Sequence, residues 1–241
     1  MSDQMLTVLV WRGTADKGRY IEYKVRGLEN HTVLDVVTYI QRYLEPTLSY
    51  RFSCRVGMCG SCAMTVNGKP RWTCRSSVSK VAPGGKLKIA PLRSMKTIKD
   101  LSVDMSEFFD KLARAEGRFH PTSNRQNDFN HVKPDSVKRR LASDGIECIG
   151  CGICYASCDL VAWKSSYLGP AALNRAWTLV NDVRDGAHRK RLNAVAGDAG
   201  CHACHSQQGC VESCPKNLNP TASIAGLKRV TAIAALKGEL D

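Results

Sequence analysis

One cysteine spacing occurs twice in this 241-residue chain: Cys148-x2-Cys151-x2-Cys154-x3-Cys158, and later Cys204-x2-Gln207-x2-Cys210-x3-Cys214, followed by Pro215. The second copy keeps the register at every position except Gln207. Such a run serves iron–sulfur clusters, because three thiolates from one tight loop cap three corners of a small cube while a distant fourth closes it. A fold that satisfies both runs must bring remote parts of the chain together. The chain therefore reads as an electron carrier.

Twelve cysteines need a reason. The length suffices for two domains of about 100 residues, each able to bury a core, so size does not call for disulfide or metal staples. The start, Met1-Ser2-Asp3-Gln4, has neither a basic nor an apolar leader region, which predicts no secretory signal and a reducing compartment where thiols stay free for metal. No stretch approaches the roughly 18 consecutive apolar residues of a spanning helix, so work at a membrane requires an anchor from elsewhere. Lys and Arg number 35 against 22 Asp and Glu, a formal +13. Three oxidised clusters with their thiolates would each carry about two negative charges and offset roughly half of it. The remaining excess suits an acidic partner surface, anionic lipid heads or a plain solvated face. A zinc-binding nucleic-acid protein is the competing class, distinguishable by lack of colour and by salt-dependent binding. The preferred reading expects no nucleic-acid partner.

Periodicity divides the chain near residue 105. Alternating apolar residues at 6–12 and 20–25, with a turn around Asp16-Lys17-Gly18, predict a hairpin. Thr32 and Asp35 resemble a capping box, and Val33, Val37, Ile40 and Leu44 follow at helical spacing until Pro46. After a cysteine-rich loop come a strand at 63–66, the turn pair Asn67-Gly68, an extended return toward Cys74 and a last strand at 86–92. This predicts a small α+β domain over 1–105. Residues 106–241 read as helical, with a polar linker at 120–133 and helices over 107–115, 135–142, 171–185 and 187–196. The final helix opens at Asn219-Pro220 and is expected to bury Ile224, Leu227, Val230 and Ile233 on one face.

Cys54-x4-Cys59-x2-Cys62, with Cys74 downstream, has the plant-type [2Fe-2S] spacing at its first three members. Gly57 and Gly60 permit the positive φ angles that turn backbone N–H groups toward sulfur. Zinc is the alternative for four thiolates, but the first gap and the glycines favour the binuclear cluster. In the helical half, each run supplies three ligands and lends its last cysteine to the other cluster, as in two-cluster ferredoxins. Cys148, Cys151, Cys154 and Cys214 then hold a [4Fe-4S] cube. Cys158, Cys204 and Cys210 hold the other, whose missing corner falls at Gln207; a neutral amide is a poor iron ligand, so this cube is expected as [3Fe-4S]. Cys201 forms a further C-x2-C with Cys204 and is either a spare ligand, for iron or for zinc, or a buried idle thiol.

These residues together resemble the iron–sulfur subunits of succinate dehydrogenases and fumarate reductases, the respiratory complex II family. The likeness rests on Ser53-Cys54-Arg55-Val56-Gly57-Met58-Cys59-Gly60-Ser61-Cys62, on Cys74, and on Glu147-Cys148-Ile149-Gly150-Cys151-Gly152-Ile153-Cys154. It continues through Gly169-Pro170-Ala171-Ala172 and Val211-Glu212-Ser213-Cys214-Pro215-Lys216-Asn217-Leu218-Asn219-Pro220, in order over nearly the whole chain. The resemblance implies a β-grasp ferredoxin domain followed by an all-α helical ferredoxin domain.

It also implies that a flavoprotein subunit with FAD performs the succinate or fumarate chemistry, so that no catalytic residues are expected here. Electrons would pass singly from flavin to [2Fe-2S], [4Fe-4S] and [3Fe-4S], then to a quinone at a membrane anchor. The chain would sit peripherally on the cytoplasmic or matrix face of the membrane, held by the anchor subunit. Trp163, five positions after Cys158, and His205, directly after Cys204, match family quinone-pocket positions; Trp163 would wall the pocket and His205 donate or relay a proton. Asp159 and Leu160 depart from the proline and small polar residue usual there, and an aromatic pair is reduced to Trp163. An iron–sulfur subunit of another flavin-linked complex is the second reading; the spacing before Cys74 and the asymmetric Gln207 favour the first.

Overall fold

The computed structural model describes residues 5–26, 30–128 and 130–240. Met1–Gln4, on which the expectation about a leader rests, lies outside them. The chain forms two compact units, one of Met1–Met105 with Ile149–Ser157, the other of Ser106–Cys148 with Cys158–Asp241.

The first unit is built on a five-stranded sheet. Strands β1 (Met5–Gly13) and β2 (Gly18–Arg26) make the expected hairpin, β3 (Ala63–Val66) and β4 (Lys69–Trp72) a second, and β5 (Lys86–Ala90) lies between them. The order is β2-β1-β5-β3-β4, with β5 parallel to β1 and every other pair antiparallel. Alternation puts Leu6, Val8 and Val10 on one face, and the register that sets Val8 beside Leu87 and Val10 beside Ile89 continues that face across the sheet. Helix α1 (Val33–Tyr39) covers it with Val33, Val36, Val37 and Ile40. Its start is fixed as expected: Thr32 Oγ1 accepts from Asp35 N, and the Asp35 carboxylate accepts from Thr32 N at 3.0 Å. A wider turn, Ile40–Leu44, extends the helix, and Leu44 ends on the surface rather than in the core. Helix α2 (Val78–Val81) follows the return past Cys74.

Two short strands beyond Leu92, β6 (Thr97–Lys99) and β7 (Ser102–Val103), carry too little periodicity to be visible in the sequence. Their turn is held by Asp100, almost fully buried, which pairs with Arg12 Nε at 3.0 Å and accepts from Gly13 N and Ser49 N. Residues 149–157, which the sequence places in the helical half, pack within the first unit. Ile153 and Ala156, from helix α5 (Ile153–Ala156), join Ala63, Leu92 and Val103 in an apolar cluster, and Arg93 Nε donates to Ala156 O at 3.0 Å. Burial of those two side chains outweighs sequence neighbourhood.

The second unit is helical, with α3 (Ser106–Arg114), α4 (Val137–Ile146), α6 (Asp159–Trp163), α7 (Pro170–Val180), α8 (His188–Val195), α9 (Gly209–Glu212) and α10 (Pro220–Leu236). Helix α7 begins on Gly169-Pro170 and is buried along nearly its whole length, its inward polar groups being satisfied, with Asn174 Oδ1 accepting from Ser223 Oγ and Thr178 Oγ1 donating to Asn174 O. It ends at Val180, short of the expected 185, where Asn181 turns its amide back onto Trp177 O. Helix α10 buries Pro220, Ser223, Ile224, Leu227, Thr231 and Ala234, so Val230 and Ile233 do not share the expected face. Apolarity misled here because two inward positions are polar and satisfied: Ser223 Oγ donates to Asn174 Oδ1 at 2.8 Å and Thr231 Oγ1 to Leu227 O. A fully buried ion pair, Arg191 with Asp185 at 2.6 Å, clamps the chain around 116–120, since the same guanidinium also donates to Glu116 O and Arg118 O.

Candidate iron–sulfur centres

None of the twelve cysteines is joined in a disulfide. In the first unit, Arg55, Gly57 and Gly60 turn the 54–62 loop in left-handed conformations (φ 58°, 74° and 71°). Arg55, the member with a side chain, stacks its guanidinium 4.7 Å from the Phe52 ring centroid and reaches Asp35 at 3.6 Å. The turns aim backbone N–H groups at sulfur. Met58 N and Cys59 N each donate to Cys54 Sγ at 3.3 Å, while Cys54 N and Ser61 N donate to Cys59 Sγ at 3.5 Å. Donation from Met58, Cys59 and Val56 pulls the Cys54 thiol down to about 6.

Cys62 and Cys74 form a deeper pair, walled by Leu34, Tyr50 and Trp72. Thr73 ties them together by donating to Cys62 O from N at 3.3 Å and from Oγ1 at 2.8 Å. Burial and then the neighbouring Cys62 push the Cys74 thiol up to about 11. The four cysteines thus stand two and two, Cys54 with Cys59 and Cys62 with Cys74. A binuclear cluster takes two thiolates per iron, whereas zinc draws four to one point.

The two repeated runs are spread over the units. In the second unit, Glu147 beside Cys148 pairs with Lys216, two residues after Cys214, at 3.2 Å, and Leu218 N donates to Cys214 Sγ at 3.4 Å. The start of the first run and the end of the second are therefore neighbours. Cys151 and Cys154 belong to the 149–157 segment of the first unit, where Cys151 packs on the cluster of Leu92, Val103 and Ile153.

Cys158, Cys204 and Cys210 come together within the second unit. Cys158 precedes α6, whose first N–H groups, at Leu160 and Val161, point at its sulfur; burial raises its thiol and Cys204 adds to the rise. Cys210 is raised chiefly by burial and has Thr221 Oγ1 at 3.5 Å. Ser206 N donates to Cys204 Sγ at 3.4 Å, and Lys228 Nζ donates to Cys204 O at 2.6 Å. Tyr167, buried beside all three sulfurs, has its phenol raised by burial first and by Cys204, Cys158 and Cys210 after that. Sequence reasoning missed Tyr167, Thr221 and Lys228, for they share no spacing with the cysteines and only folding brings them there. Gln207 is exposed. Cys201 is wholly buried, 3.6 Å from Thr231 Oγ1, with its thiol raised by burial. Trp163 is 75% exposed, so it is not a core tryptophan, and His205 is exposed as well.

Two family models match the chain, the 2Fe-2S iron-sulfur cluster binding domain over residues 6–110 and the 4Fe-4S dicluster domain over 145–218. The mitochondrial succinate dehydrogenase [ubiquinone] iron-sulfur subunit of Dictyostelium discoideum is 35% identical over 206 residues, covering 83% of this chain and 72% of that protein. The fumarate reductase iron-sulfur subunit of Haemophilus influenzae is 33% identical over 214 residues, 84% of this chain and 82% of that one. Among solved structures, the Mycobacterium smegmatis Sdh1 complex in the apo form contains a chain that matches with a TM-score of 0.86 at 26% identity, over 96% of this chain and 97% of its own length. A [2Fe-2S] domain followed by a helical [4Fe-4S] domain defines an electron carrier of ferredoxin type. Within that class, the chain belongs to the family of iron–sulfur subunits of succinate dehydrogenases and fumarate reductases. It is the electron-transfer member of an oxidoreductase of the complex II type.

Proposed function

We propose that this chain relays electrons between the FAD of a flavoprotein subunit and a membrane quinone, as the iron–sulfur subunit of a succinate:quinone oxidoreductase. Quinol:fumarate reduction is the reverse traffic over the same residues. Bound clusters supply the one-electron carriers; the chain supplies ligands, hydrogen bonds and burial, which set their potentials. Cys54, Cys59, Cys62 and Cys74 hold [2Fe-2S], and Cys148, Cys151, Cys154 and Cys214 hold [4Fe-4S]. Cys158, Cys204 and Cys210 hold [3Fe-4S], with Cys201 left in the core. The two-and-two pairing of the first four cysteines carries the assignment, and the Glu147–Lys216 ion pair supports the exchange of last cysteines between the runs.

The flavoprotein performs the dicarboxylate chemistry. An anchor subunit holds the chain on the cytoplasmic or matrix face of the membrane, and among the described residues no helix is long and apolar enough to cross it. Trp163 and His205, exposed in the same unit as the three-cysteine set, face the quinone, with His205 handling a proton. Iron and acid-labile sulfide counts, with paramagnetic resonance of oxidised and dithionite-reduced protein, test the whole: three distinct centres are expected, and protein purified anaerobically without sulfide would refute it. His205→Ala should slow quinone turnover and leave reduction of the clusters by the flavoprotein intact.

A further inference from the structure

Gly60 sits between two ligands of the two-iron loop, Cys59 and Cys62, with its backbone in the left-handed region at φ 71°. It is buried, and what it is buried against is Cys151. A methyl group placed on Gly60 would lie 2.5 Å from Cys151 Cβ and 2.9 Å from Cys151 Cα. Carbon atoms in ordinary contact stand about 3.5–4.0 Å apart, so no side chain fits. The bare Cα of Gly60 therefore touches the backbone and first side-chain carbon of a residue from the other cysteine run.

Both partners of this contact are pinned inside the first unit. Gly60 O accepts from Ala63 N at 3.2 Å, and Ala63 packs in the same apolar cluster as Ile153 and Ala156, with Cys151 against its edge. Arg93 closes the other end of the segment on Ala156 O. The contact is thus built from both sides. Local loop geometry alone would have been satisfied by any residue tolerating a left-handed turn, as Arg55 shows four positions before Cys59.

We infer that Gly60 is a positioning residue for electron transfer: its missing side chain lets the two-iron loop touch Cys151, making Cys59–Gly60–Cys151 the bridge between the first and second centres. This rests on the ligand assignment proposed above. From Cys59 Sγ the route runs through bonds along Cys59 and the peptide to Gly60 Cα, makes one van der Waals step to Cys151 Cβ, and ends at Cys151 Sγ. With both clusters bound, a single electron would pass from the reduced two-iron centre to the oxidised four-iron centre along this route, with Cys59, Gly60 and Cys151 setting its width and no proton moving. Tunnelling falls exponentially with the width of a through-space step, so widening this one slows the transfer.

The test compares Gly60→Ala with Gly68→Ala in the cluster-loaded chain. Gly68 is also left-handed, φ 80°, but a methyl there meets nothing within 4 Å, so it imposes the backbone penalty without the contact. After flash reduction of the two-iron centre, Gly60→Ala should delay reduction of the four-iron centre, and in fully reduced protein the magnetic splitting between the two centres should shrink, while Gly68→Ala matches wild type in both. Should Gly60→Ala not load its clusters, Ile153→Ala decides, because it loosens the seat of Cys151 while leaving Gly60 and the four proposed two-iron ligands unchanged, and it should give the same delay. Wild-type transfer and splitting in Gly60→Ala, or in Ile153→Ala where that variant decides, would overturn the bridge. If wild-type protein itself lacks a two-iron or a four-iron signal, the ligand assignment has failed rather than the route.

Discussion

The first and second cysteine runs bend the backbone in the same way with different residues. Gly150 and Gly152 are left-handed at φ 62° and 76°; at the matching places of the second run stand Ser206 and Gln208, at 57° and 62°. Each pair leads into a helix of four residues, α5 and α9, that carries the third position of the run, Cys154 or Cys210. The repeat is therefore kept in conformation where it is lost in composition. Left-handed backbone costs a residue with a side chain roughly 1–2 kcal/mol, so the second run holds its shape at an expense the first avoids. The amide directions that such turns present to a cluster are a sufficient reason, as Ser206 N donating to Cys204 Sγ illustrates. Among the four cysteine positions of the run only the corner differs, Cys151 against Gln207.

The largest expected effects follow from exchanging that corner. On the proposed ligand assignment, Gln207→Cys should convert the three-iron centre into a four-iron one, abolishing the paramagnetic signal of the oxidised protein and adding one iron per chain. Cys151→Gln should do the opposite and create a second oxidised three-iron signal. Failure of the first exchange, with the oxidised signal unchanged, would show that the runs match in outline but not at the metal.

Much of this frame was legible before folding. Spacing alone aligned the runs, the Thr32–Asp35 pair marked the start of α1, and Asn67-Gly68 marked the second hairpin, because each signal is local chemistry acting over a few residues. What escaped was decided by contacts between remote residues. The move of 149–157 into the first unit depends on Ile153 finding Leu92 and Val103. The buried face of α10 depends on Asn174 offering Ser223 an acceptor, which no helical periodicity records. Strands β6 and β7 depend on Asp100 reaching Arg12. At the three-cysteine set, Tyr167 looked like any aromatic residue before a Gly-Pro pair.

The glycines of the first run separate two costs that the second run confuses. Ala at Gly150 meets open space, so only the backbone penalty of about 1–2 kcal/mol applies. Ala at Gly152 adds a close approach, its methyl 2.6 Å from Met95 Cε, but that atom is the free end of a flexible side chain that can swing aside, so the added cost stays below the roughly 1–3 kcal/mol of core overpacking. Denaturant midpoints, followed by the visible absorbance of the clusters, should fall further for Gly152→Ala than for Gly150→Ala. In the second run the sign reverses: Gln208→Gly relieves its left-handed strain and should stabilise by up to about 1 kcal/mol, less the extra freedom glycine gains in the unfolded chain.

The smallest effect concerns what joins the runs. Glu147 and Lys216 meet at 3.2 Å, but the Glu147 side chain is 64% exposed, and exposed pairs contribute about 0–1 kcal/mol. Glu147→Gln should therefore shift the denaturant midpoint of the loaded protein hardly at all, and added salt should abolish even that shift. If the runs are held together by thiolates bound to shared iron, loss of the ion pair leaves them joined. A large loss of stability or of four-iron content in Glu147→Gln would mean the reverse, with the surface charges holding Cys214 beside Cys148 and the cluster following.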